Sequence, residues 1–261
     1  MGIPIALQLH TIRDAVAEDP RAAFERVADI GYLGIETSAL NDIEPDEFRR
    51  LVEDSGIEVI GVFSSMQPAA GWEQFLDEQE ALANDVVVTC FMPEHFASRD
   101  AIARAAERFN DVAELMRGRA MTLYYHNHSW EYTASEAGPI PMNVFLEYLD
   151  PVCVLEPDVY WIKAAGHDPV ATLVQLGPRV ERLHVKDGPG TVQPVLTGFD
   201  DLDPQTAVGD GALDIVAILA AAPQVSWHVV ELDKCAGDSF AAVEKSYHYL
   251  TGNGLSKGRE R

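Results

Sequence analysis

Short apolar runs alternate with amphipathic stretches along most of the chain. Eight runs of four to seven residues are rich in aliphatic and β-branched side chains: 3–9, 33–36, 57–63, 86–90, 121–126, 152–155, 180–185 and 225–231. Such short, continuously apolar runs are typical of parallel strands that are buried on both faces. The stretches between them show helical spacing with proline or serine starts and glycine stops, as in 20–31, 45–56 and 98–117.

Eight strand–helix units predict a single-domain α/β protein, a (β/α)8 TIM barrel spanning residues 1–251. An open doubly wound sheet is disfavoured, because no glycine-rich phosphate turn follows the first run. The pattern is interrupted at 188–211, which predicts a long loop that is either a variable surface insertion or a lid over the active face. The small, polar and basic residues 252–261 predict a disordered C-terminal tail.

Composition narrows the classes of partner. The chain has 261 residues, of which 47% are hydrophobic. Its formal net charge is −23, and this negative charge repels phosphate backbones and anionic lipid. Nucleic-acid and membrane partners are therefore disfavoured, while association into homo-oligomers stays open. Three dispersed cysteines, no leader-like N-terminus and no apolar run of about 18 residues predict a cytoplasmic protein.

Residues able to bind a metal lie at or just after the end of each of the last four strand-like runs: His126, His128 and Glu131; Glu156 and Asp158; His184 and Asp187; Glu231 and Asp233. The carboxyl ends of barrel strands meet on one face, so these side chains are expected to converge there. The recurrence indicates a metal enzyme.

Glu131, Asp158, His184 and Glu231 are the predicted metal ligands. Three carboxylates and one imidazole suit a hard or borderline divalent ion, Mn2+ first, with Mg2+, Co2+ or Zn2+ as alternatives. Structural roles compete with this interpretation. The histidines of the first cluster could be hydrogen-bonded core residues, Asp158 could be a helix N-cap, and Trp161 could be core or a wall for a carbohydrate ring.

Several motifs carry a family resemblance: residues 7–9 with Arg13, 30–36, 125–128 with Glu131, 156–161 with 163–166, 184–187, and 208–211 with Asp214. In their order and spacing they resemble the sugar phosphate isomerase/epimerase family of xylose isomerase-like TIM barrels. The resemblance runs from about Ile5 to Leu250.

The resemblance implies a divalent metal held by Glu, Asp, His and Glu from strands five to eight. Asp158, His184 and Glu231 match the last three positions. Relatives commonly place a glutamate where this chain has His126, so either His126 or Glu131 completes the set. Ketose epimerases of the family use a Glu/Glu acid–base pair. Because this chain has His126 where relatives carry a glutamate, the resemblance does not imply that pair here, and His128 is a candidate for the base.

The chemistry implied is proton abstraction beside the carbonyl of a sugar or cyclitol, through an enediolate, giving isomerisation or epimerisation. A dehydratase or hydratase acting on keto-inositols or keto-sugars is the alternative. We expect His128, Glu231 and Lys186 to be catalytic, and the predicted substrate-binding residues are Gln8, Glu36, His126, Trp161 and Lys163.

Two other classes bear on this interpretation. A DNA-repair endonuclease on the same barrel would need more histidines and a basic groove, and the charge of −23 opposes it. A non-catalytic binding protein stays open, and metal content separates it from an enzyme.

Overall fold

Nine strands form the sheet in the described part of the chain. The computed structural model describes residues 2–38, 40, 43–66, 68, 71–133, 138–193 and 202–259. The strands are β1 Ile3–Gln8, β2 Gly34–Thr37, β3 Glu58–Phe63, β4 Val86–Thr89, β5 Thr122–Tyr125, β6 Val154–Leu155, β7 Arg182–Val185, β8 Trp227–Val230 and β9 Ser256–Lys257. The first eight fall within the eight apolar runs of the sequence, apart from Thr37 at the end of β2.

The first eight strands are parallel and follow the order β6-β5-β4-β3-β2-β1-β8-β7. Isolated bridges from Leu155 to Val180 and from Asp158 to His184 span the remaining gap between β6 and β7. Two backbone hydrogen bonds, Glu181 N to Leu155 O (3.1 Å) and His184 N to Pro157 O (3.0 Å), support these bridges. The result is a nearly closed eight-stranded barrel, which confirms the predicted fold class.

Ten α-helices occur in the described residues, most of them packed outside the barrel: α1 Arg13–Glu18, α2 Pro20–Ile30, α3 Pro45–Asp54, α4 Trp72–Ala81, α5 Arg99–Arg117, α6 Pro141–Tyr148, α7 Val159–Ala164, α8 Pro169–Leu176, α9 Ile215–Ala220 and α10 Ser239–Gly252. Six begin at a side-chain N-cap, supplied by Asp19, Ser98, Asp158, Asp168, Asp214 and Asp238. These caps satisfy backbone N–H groups that lack partners within the helix.

Side chains alternate between the barrel interior and the helical layer, as the two-residue period of a strand requires. In β7, Leu183 and Val185 join the main apolar core, whereas Arg182 and His184 point along the barrel axis. Apolar layers fill the axis away from the strand ends, such as the cluster of Ala6, Ile60 and Val229. Polar groups are concentrated at the carboxyl ends of the strands.

The C-terminal segment differs from the disordered tail that the sequence predicts. Ser256 and Lys257 form β9, which pairs in parallel with Ile3 and Pro4 of β1. Ser256 Oγ is also hydrogen-bonded to His228 Nδ1 at 2.8 Å. Backbone pairing with β1 and the side chain of Ser256 hold this segment in place. Neither interaction requires a periodic pattern of apolar residues, so the sequence does not indicate the strand. Residues 260–261, and residues 194–201 of the predicted long loop, lie outside the described part of the chain.

Asp187, buried just after β7, organises the described ends of that long loop. Its two carboxylate oxygens accept hydrogen bonds from the backbone N–H groups of Gly188, Gly209, Gly211 and Leu213, at 2.8–3.2 Å. At Gly211 the backbone approaches so closely that a Cβ atom would overlap Asp187 Oδ1 and the backbone nitrogen of Gly188. Glycine is therefore required at 211 for steric reasons.

The substitution Gly211→Ala should lower the free energy of unfolding by about 1–3 kcal/mol, because the methyl group has to displace the Asp187 anchor. Gly237→Ala is the matched control, since nothing lies within 4 Å of its added Cβ. Denaturant unfolding of both variants measures the difference. Equal stability of the two would contradict this account of the loop.

Candidate metal and active site

Asp158 lies at the junction of β6 and α7. Its Oδ1 accepts hydrogen bonds from the backbone N–H groups of Tyr160 (2.8 Å) and Trp161 (3.0 Å), as an N-cap does. Its Oδ2 lies 2.8 Å from Lys186 Nζ. Capping therefore uses one carboxylate oxygen and leaves the other directed at the barrel axis.

Four buried side chains from four strand ends converge at the mouth of the barrel. Donor atoms of His126, Asp158, His184 and Glu231 all lie within 4.8 Å of one another. His184 Nδ1 is 2.8 Å from Glu231 Oε2, and His126 Nε2 is 3.9 Å from Asp158 Oδ2. Metal–ligand bonds of about 2.0–2.2 Å place ligand atoms roughly 3–4 Å apart, so this cluster is close to the size of a coordination sphere.

Lys186 is the cation of this cluster. Its Nζ lies 2.8 Å from Asp158 Oδ2, 2.7 Å from Glu231 Oε2 and 2.7 Å from Asp233 Oδ2. Burial alone would lower the pKa of Lys186, but the three carboxylates raise it well above its ordinary value. The ammonium group therefore stays charged and offsets part of their negative charge. Its side chain is fully buried, so the predicted catalytic Lys186 is separated from solvent.

A cavity of about 540 Å3 opens at the cluster. His126, His128 and Glu231 of the predicted site line it, together with Gln8. Four further lining residues were missed from the sequence: Lys234, just beyond β8, and His10, Ser38 and Phe63. Each of the last three lies at or just beyond the carboxyl end of one of the first three strands. The strand-end rule that located the later clusters could have found them, but none shares its strand end with a second metal-ligand type.

The histidines of the cavity wall are packed ring against ring. The ring of His126 lies 4.4 Å from that of His184 and 4.9 Å from that of His128, measured between centroids. His128 is stacked on Trp130 at 4.5 Å, with 15° between the planes. Burial is the main reason that the pKa values of His126 and His128 lie well below the ordinary histidine value. Both rings are therefore neutral near pH 7.

The structure does not place Glu131, a predicted ligand, in the cluster. Its Oε1 accepts a hydrogen bond from the hydroxyl of Tyr125 (2.7 Å), and its Oε2 accepts one from the backbone N–H of His128 (3.0 Å). β5 ends at Tyr125 and a turn follows at 129–132, so Glu131 lies on that turn and not on the strand end that carries His126. His126 takes part in the cluster instead, and Glu131 supports the turn that presents His128.

The predicted substrate-binding residues separate into two groups. Gln8 and His126 line the cavity, whereas Glu36 is fully buried beneath His184. Trp161 is also fully buried, with its ring edge-on to His128 at 5.1 Å, and so stands behind the wall. Lys163 lies on α7, half-buried and outside the residues that line the cavity. Only the first group meets the cavity directly.

Comparison with protein-family models identifies the family of this chain. The model described as xylose isomerase-like TIM barrel matches residues 24–231, most of the chain. The chain belongs to this family. The prediction drawn from the motifs is thereby confirmed. Comparison with curated protein sequences gives no match.

Solved structures share the fold at low sequence identity. A sugar phosphate isomerase/epimerase from Parabacteroides distasonis has a TM-score of 0.84 at 20% identity, covering 98% of this chain and 100% of that one. The probable 3-DHS dehydratase AsbF from Bacillus anthracis has a TM-score of 0.73 at 14% identity, with coverages of 95% and 99%. The IolI protein with a bound zinc atom has a TM-score of 0.74 at 15% identity, with coverages of 99% and 100%.

Enzyme names thus recur among the structural neighbours, with isomerase/epimerase and dehydratase both represented. Within the described residues, no helix combines the length and the apolar character needed to cross a bilayer.

Glu131 gives a pH signature to stability. Burial is the main reason that its pKa is raised from 4.5 to about 8, although the Tyr125 hydroxyl opposes the shift. A carboxyl group whose pKa is higher in the folded state costs stability as pH rises between the unfolded and folded values, here by up to about 1.4 kcal/mol per pH unit. We expect Glu131→Gln to flatten the decline in unfolding free energy between about pH 4.5 and 8.

The control for this measurement is Glu73→Gln, on the exposed face of α4, which should keep the wild-type slope. Denaturant unfolding at several pH values gives the slopes. A Glu131→Gln slope identical to that of the wild type would show that this carboxyl group is not held in its protonated form.

Proposed function

We propose that this chain is a divalent-metal-dependent sugar or cyclitol isomerase or epimerase, which acts by abstracting a proton next to a carbonyl. The observation that carries the proposal is the convergence of His126, Asp158, His184 and Glu231 within 4.8 Å at the floor of a cavity. The family membership and the isomerase/epimerase neighbour support the same reaction class.

The charges of the cluster fit a divalent ion. Asp158, Glu231 and Asp233 carry three negative charges, and Lys186 returns one positive charge. One divalent cation would balance the remainder. His126 is buried, and its Nδ1 has no hydrogen-bond partner among the described residues. Its other nitrogen, Nε2, lies 3.9 Å from Asp158 Oδ2, a separation that two ligands of one ion would have.

The donor set narrows the choice of ion. Two imidazoles and two carboxylates favour Mn2+, Co2+ or Zn2+ over Mg2+, which prefers oxygen ligands. We take Mn2+ as the first ion to test. A bound ion would supply Lewis-acid polarisation of a substrate carbonyl, which makes the neighbouring C–H group more acidic.

His128 is our choice for the general base. It lines the cavity, and the lowered pKa that results mainly from its burial keeps the imidazole neutral and able to accept a proton. Glu231 suits this role less well. Its Oε2 is already paired with Lys186 Nζ at 2.7 Å and with His184 Nδ1 at 2.8 Å, and both partners lower its pKa well below the ordinary value although burial alone would raise it. Lys186 would keep Asp158 and Glu231 ionised and in place.

A dehydratase acting on a keto-inositol or keto-sugar is the second candidate. His126 stands where ketose epimerases of the resembling family carry a glutamate of their acid–base pair. The two neutral histidines also lie side by side, 4.9 Å apart, rather than across the cavity from each other. Such a one-sided arrangement suits the loss of a β-hydroxyl group as well as it suits epimerisation.

The proposal also includes a small-molecule sugar or cyclitol as the partner and a cytoplasmic location. The location is supported by the three cysteines, which are all free thiols.

Metal binding is tested with two aspartates that both cap helices. Asp158→Asn should weaken Mn2+ binding at least about tenfold, because it removes a charge from the cluster. Asp168→Asn, at the N-cap of α8 and outside the cluster, should bind as the wild type does. Isothermal titration gives the Kd, and wild-type protein should gain about 2.7 kcal/mol of stability at 100 times Kd. Absence of Mn2+, Co2+ and Zn2+ binding by the wild type would falsify the metal assignment.

Proton abstraction is tested by exchange in D2O. Metal-loaded protein should incorporate deuterium next to the carbonyl of one substrate in a panel of ketohexoses, inososes and 3-keto-glycosides, as followed by NMR. His128→Gln should reduce this exchange by about 10²- to 10⁴-fold with Mn2+ affinity unchanged. His248→Gln, on the surface, is the control. An unsaturated product without an epimer would favour the dehydratase.

A further inference from the structure

His184 is held at both ring nitrogens. Its Nδ1 faces Glu231 Oε2 at 2.8 Å, on the side of the cavity. Its Nε2 faces Glu36 Oε1 at 3.1 Å, on the side of the barrel interior. Glu36 is fully buried and does not line the cavity, although the sequence predicted a substrate-binding role for it.

Gln8 stands between Glu36 and the cavity. The two residues are direct partners in the register of β1 and β2, so their side chains point to the same side. Gln8 Nε2 donates to Glu36 Oε1 at 2.7 Å, and Gln8 itself lines the cavity. A substrate would therefore meet Gln8 and would be separated from the carboxylate of Glu36.

The backbone makes room for Glu36 beneath His184. The pairing of β2 with β3 shifts register here, since Ile35 pairs with Val59 but Glu36 pairs with Gly61. A Cβ atom on Gly61 would lie 3.3 Å from Glu36 Oε2 and 3.0 Å from Arg182 Nη1. The register shift, Gly61 and the buried guanidinium group of Arg182 are therefore all adjacent to the Glu36 carboxylate. A bulge commonly re-aims a side chain in this way.

We propose that Glu36 is a positioning residue that selects Nδ1 of His184 as the metal-binding nitrogen. A carboxylate only accepts hydrogen bonds, so contact with Glu36 keeps a proton on Nε2. Glu231 holds a second proton on Nδ1 in the same way, and a bound ion would take the place of that proton, because Nδ1 is the nitrogen that faces the cluster. A carboxylate behind a ligating histidine fixes its tautomer and raises its basicity. This inference rests on the proposed metal function and adds the residue that orients one of its ligands.

The primary experiment compares two carboxylates that lie below the same ring. Glu36→Gln should raise the Kd for Mn2+ by about 10- to 100-fold, because the charge behind His184 is lost. Glu156→Gln is the matched control. Its Oε1 is 3.8 Å from His184 Nε2, beyond hydrogen-bond range, and burial raises its pKa to about 8, so its replacement removes little charge near pH 7 and the Kd should change by less than about threefold. Thermal unfolding without metal checks that both variants fold.

The position of the His184 ring proton is measured on the wild type. NMR of wild-type protein with 15N-labelled histidine, loaded with Zn2+, should show His184 with its proton on Nε2 and Nδ1 bound to the metal. The Co2+-loaded wild type and the Co2+-loaded Glu36→Gln protein should also differ in visible absorption, because the ligand field changes. A purely structural role for Glu36 would leave that spectrum as it is.

The outcomes separate this inference from the proposed function. If the wild type binds none of these ions, the metal function fails. The positioning role is wrong if the wild type binds Mn2+ but Glu36→Gln binds it equally well. It is also wrong if the proton of His184 lies on Nδ1 in the Zn2+-loaded wild type. A variant with a raised KM and an unchanged Kd for Mn2+ would instead restore the substrate-binding role of Glu36.

Discussion

Compensation of buried charge is the constraint on which the site depends. Carboxylates that are removed from water need a cation or hydrogen-bond donors within reach, because an isolated buried charge is prohibitively costly. At the mouth of the barrel, Lys186 contacts three carboxylates at 2.7–2.8 Å. Deeper on the axis, Arg182 lies beside Glu36. The excess of negative charge at the mouth is what gives the cluster its affinity for a divalent ion in our proposal.

Local features of the barrel backbone fix the positions of the buried charged side chains. The isolated bridge that joins the ends of β6 and β7 sets Asp158 beside His184. Capping of α7 commits one oxygen of Asp158 and thereby aims the other. A register shift between β2 and β3 places the Glu36 side chain next to Gly61, where the absence of a Cβ atom gives it space. Each feature restricts one side chain, so the converging atoms are held without help from a flexible loop.

The groups that face the cavity differ in character from those beneath it. The lower groups are charged and paired, whereas His126 and His128 are neutral rings packed against Phe63 and Trp130. A neutral imidazole can accept a proton without first losing one, and this suits chemistry next to a carbonyl. Structural neighbours that share the fold are named as isomerase/epimerase, epimerase and probable dehydratase, so the barrel fold alone does not specify one reaction.

The sequence by itself determined the eight strand–helix units and pointed to Asp158, His184 and Glu231. Those inferences rest on local periodicity and on the rule that parallel strands end on one face, and both are properties of short segments. Only the tertiary structure decided that His126 rather than Glu131 joins the cluster, because the direction of the chain after Tyr125 depends on the turn that Glu131 itself supports. The burial of Glu36 under His184 and the pairing of β9 with β1 likewise depend on contacts between distant segments, which no local pattern encodes.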